Sequence, residues 1–215
     1  MTFARLFARR AQAVRENMAL FSTLNDYIDS LSSTPKELYI EESLPSTEAY
    51  YTALERLTAS KKLHPYIRRG HVKRLFRELS ACGFIPECKL RFGWLTRERA
   101  YMKDTGLAAI SMHYLGMKDG AYLARLFLHE VAHLNVSARE DYAYLLRLDG
   151  EFLSHYRGKE AKALSPVEFF ATHLSIALMR CAAEHIPASR NALLAECATE
   201  ERKLFEYVSV FTGNA

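Results

Sequence analysis

The chain has 215 residues, enough for one sizeable domain or for a core with a helical extension. Its 49% hydrophobic and 25% charged residues are ordinary for a globular protein, and scarce glycine and proline (9 and 6) favour helices over a β-sandwich. A formal net charge of +4 is too small to identify a nucleic-acid-binding protein, and no apolar run approaches the roughly 18 residues of a membrane helix.

Helical patterning dominates the first part of the chain. Apolar residues recur at helical spacing over residues 3–31, and a Ser-Ser-Thr-Pro sequence ends that pattern. A second helix is predicted from Ser46, whose side chain suits an N-cap, and a third over 65–81. We therefore predict a helical N-terminal region covering residues 1–82.

The pattern changes near Gly83. Residues 88–96 alternate loosely between apolar and polar, as a strand does, and residues 106–114 are a second strand candidate. A charged turn at 97–99 lies between the two. Helical spacing then resumes to the end of the chain, in segments at 119–135, 138–157, 166–184 and 189–210. This order predicts an α+β fold, mostly helical, with a small mixed β-sheet packed on the 119–135 helix. Residues 83–215 would form this second region, in one compact unit with the first.

The four cysteines are too sparse and too irregularly spaced for a disulfide framework or a zinc knuckle. None forms a CxxC pair, and we expect all of them to be reduced thiols. The expected localisation is cytoplasmic, with secretion open as the alternative and no membrane partner. The cysteines are Cys82, Cys88, Cys181 and Cys197.

The segment LFLHEVAHLN at 126–135 places three titratable side chains inside an apolar helix. His129 and His133 would share one helix face, with Cβ atoms about 6 Å apart, so both imidazoles can reach one metal ion. Glu130 is offset by about 100° around the helix and suits a general base beside a metal-bound water. Burying these groups without partners would cost several kcal/mol. We therefore predict one zinc ion per chain, with Glu130 as the catalytic residue.

A third protein ligand is needed, because a catalytic zinc usually has three protein ligands and one open position. Glu168 is a candidate, since it lies in the first turn of an otherwise apolar predicted helix. An acid at this place also has a purely structural explanation, because the helix macrodipole favours negative charge there. His155 and His173 are the competing candidates, and the residue pattern alone leaves the choice open.

The HEVAH motif, followed after 34 residues by Glu168-Phe169-Phe170-Ala171, resembles the gluzincin zinc peptidases. The EFFA sequence is also similar to the catalytic domain of the anthrax lethal factor group. The gluzincin resemblance implies a zincin-like fold, Glu168 as the third zinc ligand, and hydrolysis of a protein or peptide substrate. The layout of strands and HExxH helix over 91–133 resembles the SprT-like peptidases, which implies a histidine ligand and action on nucleic-acid-bound proteins.

A peptidase also needs a second donor for the developing oxyanion and a place for the substrate backbone. The sequence does not choose among four donor candidates, which are Tyr142, His155, Tyr156 and His173. The family resemblance implies that extended substrate pairs with an edge strand preceding the HExxH helix. The matching positions in this chain are Ala108, Ile110 and Met112.

Residues 61–77 contain seven basic side chains, no acid, and an interleaved Tyr66. Such a stretch suits nucleic acid or an acidic partner, although most charge runs are solvated helix faces. Three hypotheses follow from the sequence. The chain is a zinc metallopeptidase, a protease of nucleic-acid-bound proteins, or a non-catalytic binding protein stabilised by zinc.

Overall fold

The computed structural model describes residues 44–59, 64–94, 100–103, 107–117, 119–139, 142–155, 158, 162 and 165–212. The predicted helix over 3–31 and the predicted turn at 97–99 lie outside these residues. Ser43–Glu201 forms one compact unit, and the last helix continues from Arg202 into a second unit. The unit Ser43–Glu201 contains residues from both predicted regions, 1–82 and 83–215.

Helices make up most of the described residues, accompanied by three strands. The helices are α1 Glu48–Thr58, α2 Pro65–Ala81, α3 Met112–Met117, α4 Gly120–Ser137, α5 Tyr142–His155, α6 Pro166–His185 and α7 Arg190–Thr212. The strands are β1 Lys89–Gly93, β2 Ala100–Lys103 and β3 Leu107–Ser111. The prediction of a mostly helical α+β fold is therefore confirmed.

The sheet is mixed and has the strand order β1-β3-β2. β3 pairs in parallel with β1, where Phe92 lies opposite Ile110, and antiparallel with β2. The prediction that Ala108, Ile110 and Met112 mark an edge strand is therefore wrong. Ala108 and Ile110 belong to the central strand, and Met112 begins α3. The error arose because β2, a four-residue strand, carries too little alternation to be recognised in the sequence.

Side chains at the helix starts set the boundaries of the main helices. Thr47, rather than the predicted Ser46, caps α1 by accepting a backbone N–H through its hydroxyl. Asp119 caps α4 in the same way. Ser165 is the N-cap of α6 and Pro166 is its first residue, as predicted, because proline there loses no intrahelical hydrogen bond.

The core of the larger unit is built around α4. This helix contacts α1, α6 and the sheet strand β2, which confirms that the HEVAH helix packs on the sheet. Leu128 and Leu134 are almost completely buried, and each such leucine contributes about 1.5–3 kcal/mol through burial. Within the described residues, neither α4 nor any other helix is long and apolar enough to cross a membrane.

All four cysteines lie in described parts of the chain, and each is a free thiol. The Cys181 thiol contacts the Tyr51 hydroxyl oxygen at 3.3 Å. Cys197 is buried, and burial raises the pKa of its thiol to about 11. None of the four forms a disulfide, as expected for reduced thiols.

A buried ion cluster joins α4 to α7. The Arg125 side chain is only 8% exposed, and its Nε donates to Glu196 at 2.6 Å while Nη1 donates to Glu200 at 2.5 Å. The guanidinium carbon also lies 4.6 Å from the ring centroid of Tyr122. Two carboxylates and the face of an aromatic ring therefore surround the positive charge of Arg125 and compensate for its burial.

We predict that Arg125→Gln lowers the free energy of unfolding by about 3–5 kcal/mol, because it leaves Glu196 and Glu200 charged without their cation. Arg180→Gln is the matched control. Arg180 also pairs across α6 and α7, with Glu201, but its side chain is 59% exposed, so we expect a loss below about 1 kcal/mol. Urea unfolding of both variants measures the difference, and equal losses would contradict a buried ion cluster.

Candidate metal centre

The HEVAH segment occupies the second half of α4. His129 and His133 are one turn apart on the helix, with ring centroids 4.8 Å apart and Nε2 atoms 3.2 Å apart. Their neighbours Leu128 and Ala132 are fully buried, which holds this part of the helix in place. The two imidazoles therefore converge at their Nε2 atoms, as the spacing of the motif predicted.

Glu168 reaches the histidines from α6. Ser165 to Glu168 reads SPVE, a capping-box pattern in which the glutamate commonly turns back to the N-cap N–H. Here its carboxylate points to α4 instead. Oε2 lies 3.2 Å from His129 Nε2, and Oε1 lies 3.3 Å from His133 Nε2. The helix macrodipole favours an acid at this position but does not explain that direction.

The spacing of these donor atoms suits a tetrahedral zinc ion. Ligand atoms bound to zinc at 2.0–2.1 Å with tetrahedral angles lie about 3.3–3.4 Å apart. The observed separations are 3.2 Å between the two Nε2 atoms, 3.2 Å from His129 Nε2 to Glu168 Oε2, and 3.3 Å from His133 Nε2 to Glu168 Oε1. Among the described residues, His129, His133 and Glu168 form the one group of three histidine, cysteine or acidic side chains that could hold a metal ion.

Hydrogen bonds alone do not satisfy this cluster. If both Nε2 atoms carry protons, two donors face each other at 3.2 Å between the rings. If only one carries a proton, a ring lone pair faces a carboxylate lone pair. With an ionised carboxylate, both arrangements thus leave one unfavourable contact, whereas a cation attracts the two ring nitrogens and the carboxylate alike. The buried Nδ1 of His129 is not part of this contact; it has no hydrogen-bond partner among the described residues, and a cation at Nε2 would not supply one.

The electrostatics of the cluster also favour a cation. Burial by itself would lower the pKa of His133, but the hydrogen bond and charge of Glu168, with the charges of Glu130 and Asp149, outweigh it and raise the pKa. Burial would raise the pKa of Glu168, but hydrogen bonds from His129 and His133 hold it well below its usual range. Glu168 is therefore a carboxylate at neutral pH, and a bound metal would compete with the proton of His133.

Asp149 on α5 supports the position of Glu168, and the sequence analysis missed it. Its Oδ1 accepts the backbone N–H of Val167 at 3.3 Å, while the Ser165 hydroxyl accepts that of Glu168 at 3.4 Å. Two side chains therefore satisfy the first turn of α6 and fix the residue that faces the histidines. No local signal marks Asp149, because its partner lies 18 residues further along the chain.

Glu130 and the exposure of the centre complete the local arrangement. Glu130 is half-buried and adjacent to His129, on a different side of α4. The side chains of His129 and His133 are 17% and 10% exposed, whereas that of Glu168 is 41% exposed. The cluster is thus enclosed on the α4 side and accessible on the Glu168 side.

The other predicted site residues are placed as follows. His173 follows Glu168 by five residues, about 140° around α6, and its exposed ring packs 4.5 Å from that of Phe169. Tyr142 begins α5 and is half-buried. Tyr156 and the side chain of His155 lie outside the part of the chain that the structure describes. The structure thus brings Glu168, not His173, to the histidine pair, and the oxyanion donor stays a prediction.

No family model, curated protein or solved structure matches this chain. The donor atoms themselves therefore support the metal centre. They comprise two imidazoles from one buried helix and a carboxylate whose two oxygens face them.

We predict that the protein, purified without added metal, contains about one zinc per chain, and that Glu168→Ala contains much less because one of three ligands is lost. Plasma mass spectrometry measures the metal. Glu184→Ala is the control, since Glu184 is exposed on the same helix. Full zinc in the Glu168 variant would contradict its role as a ligand.

We also predict that Asp149→Ala weakens zinc binding about tenfold or more, as outer-shell substitutions commonly do. Asp149→Asn should weaken it less, because the amide oxygen can still accept the Val167 N–H. A competition titration against a zinc-binding dye gives both dissociation constants. An unchanged constant in the alanine variant would show that α6 does not need this contact to present Glu168.

Proposed function

We propose that this chain is a zinc-dependent metallopeptidase that hydrolyses peptide bonds in a protein or peptide substrate. The observation that carries the proposal is the convergence of donor atoms from His129, His133 and Glu168 at separations of 3.2–3.3 Å. Glu130, the second residue of the HEVAH motif, lies beside this group. The same residues are the ones that the gluzincin resemblance implies.

His129 and His133 would bind zinc through Nε2, and Glu168 through its carboxylate. When bound, zinc would polarise the scissile carbonyl and lower the pKa of a water ligand towards 7. The three protein ligands would be held from buried α4 and from the doubly capped first turn of α6. Little reorganisation would then be needed when substrate arrives.

Glu130 would act as the general base and then as the general acid. Its carboxylate would take a proton from the attacking water and deliver it to the leaving nitrogen, which departs as an amine with the electrons of the broken C–N bond. The offset of about 100° between adjacent helix residues keeps Glu130 beside the ligands without making it one.

An open centre favours catalysis over the alternative of a zinc-stabilised binding protein. Structural zinc sites are normally closed by four protein ligands. The described residues bring three together, and the side chain of Glu168 is 41% exposed. Water and substrate would enter from that side.

The substrate backbone would bind at an edge of the sheet. Extended peptides commonly add a strand to an exposed sheet edge. β3 is interior in the described sheet, which leaves β1 and β2 as its outer strands. β2 contacts α4, the helix that carries His129 and His133. The substrate backbone would therefore pair with the outer edge of β2, since the central strand β3 has no free edge in the described sheet.

We predict that Glu130→Gln reduces peptide hydrolysis by about 10²–10⁴-fold while the zinc content stays at the parent level, because the ligands are intact and only the proton carrier is lost. A pool of fluorescence-quenched peptides, assayed with zinc-loaded protein, measures the turnover.

Glu151→Gln serves as the control for this variant, because Glu151 is an exposed residue of α5. It should keep the parent activity. Equal turnover in the Glu130 variant and the parent would exclude Glu130 as the proton carrier. A zinc-loaded parent that cleaves no peptide or unfolded protein would reject the peptidase proposal and favour the binding protein.

A further inference from the structure

The exposed face of α2 carries basic and aromatic side chains along one line. Tyr66, Gly70, Lys73 and Arg77 are spaced by three or four residues, and all four are exposed. Tyr66 is 63% exposed and its ring stacks on that of His64. The opposite face of α2 is buried in the core through Val72, Leu75, Phe76 and Leu79.

Arg68 does not belong to this face, although it contributes to the basic stretch in the sequence. It is fully buried, and its Nη1 donates to the backbone oxygen of Leu115 at 2.7 Å. Its role is therefore structural, since it binds the α3 backbone to α2. The exposed face of α2 therefore carries fewer basic residues than the sequence of 61–77 indicated, because the helix turns Arg68 into the core.

β1 lies next to this face of α2 and extends it. The Arg69 guanidinium carbon is 5.3 Å from the ring centroid of Phe92 in β1. Just past the strand end, Trp94 is 72% exposed. Lys89 and Arg91 are also exposed on this strand, which pairs only with β3 in the described sheet.

These side chains are close enough to contact one extended ligand. Tyr66 and Arg69 are about one helical turn apart, near 5 Å along the axis. Phe92 and Trp94 are about 6.5 Å apart along the chain. Because Arg69 lies over Phe92, the two pairs adjoin. We call this region the α2–β1 surface, defined by His64, Tyr66, Arg69, Lys73, Phe92 and Trp94.

The charged residues that define the surface, Arg69 and Lys73, are both basic. Residues 64–77 include no aspartate or glutamate. The nearest carboxylates along the sequence are Glu78 at the far end of α2, Glu87 before β1, and Glu98, four residues after Trp94. A ligand that complements this surface must therefore carry negative charge and offer flat faces to exposed aromatic rings.

We propose that the α2–β1 surface binds single-stranded nucleic acid. Phosphates would pair with Arg69 and Lys73, and unpaired bases would stack on Tyr66 and Trp94, a combination typical of single-strand binding. In a duplex the base faces are hidden in the stack, so exposed rings would find no partner. An acidic peptide would satisfy the arginine and lysine but would leave the aromatic rings unused.

This proposal is independent of the proposed peptidase function, because no residue of the surface belongs to the metal centre. If both hold, the substrates would be proteins on single-stranded nucleic acid, which specifies the alternative that the SprT-like resemblance suggested. The binding experiment needs no zinc and no hydrolysis, so its failure and that of the peptidase proposal are distinguishable.

Trp94 makes the test direct, because it is the only tryptophan in the chain. The full-length protein, with zinc removed, is titrated with oligo(dT) of about 20 nucleotides while tryptophan emission is recorded, since a stacked base quenches it. We expect saturable quenching whose affinity falls as salt rises, by a log–log slope of about 0.7 for each neutralised phosphate.

Variants assign the binding to this surface. Arg69→Ala with Lys73→Ala should lower both the affinity and the salt slope, whereas Arg180→Ala, which removes an exposed arginine of α6, should change neither. Trp94→Ala, followed by anisotropy of a labelled oligonucleotide, should bind about 5- to 100-fold more weakly. Circular dichroism checks that each variant is folded.

Three results would overturn the proposal. The first is no saturable binding of the oligonucleotide at low salt. The second is equal binding of heparin or poly-glutamate, which would make the surface a general polyanion site. The third is full competition by duplex DNA at equal phosphate concentration, because stacking would then contribute nothing.

Discussion

The packing of α4 against α6 is the contact on which the candidate metal centre depends. It brings Glu168 against two histidines from a different helix. Buried α4 carries a second polar group, Arg125, whose fixed positive charge is matched by Glu196 and Glu200. The histidine cluster has a carboxylate but no fixed cation. One cluster is thus complete within the chain, while the other has the donor atoms for a cation that the chain itself does not supply.

Features that depend on local pattern could be predicted from the sequence. The bounds of α2, the Ser165 cap of α6 and the convergence of His129 with His133 follow from residue spacing alone. Features that depend on pairing between distant segments could not. Strand order placed β3 in the centre of the sheet, and nothing in its own sequence distinguishes a central strand from an edge strand when its neighbours are short.

Long-range contacts also explain the remaining differences. Asp149 resembles any polar residue of an amphipathic helix until the start of α6 is placed beside it. In the sequence, Arg68 is one more charge of a basic run. In the structure it is buried and donates to the backbone oxygen of Leu115. Counting the charges in a sequence run therefore overestimates how many are exposed. Their positions around the helix decide which of them a partner can reach.

The ion cluster around Arg125 has a consequence for how the candidate metal centre would behave without its ion. It anchors the first half of α4 to α7, one turn before the histidines, and the leucines around His129 and His133 anchor the second half. The α4 backbone that carries the two histidines is therefore held by contacts that need no metal ion. We expect such a scaffold to survive chelation in its folded form. If zinc is the cofactor as proposed, its supply would switch activity reversibly, in contrast to small zinc domains that unfold when their ion is removed.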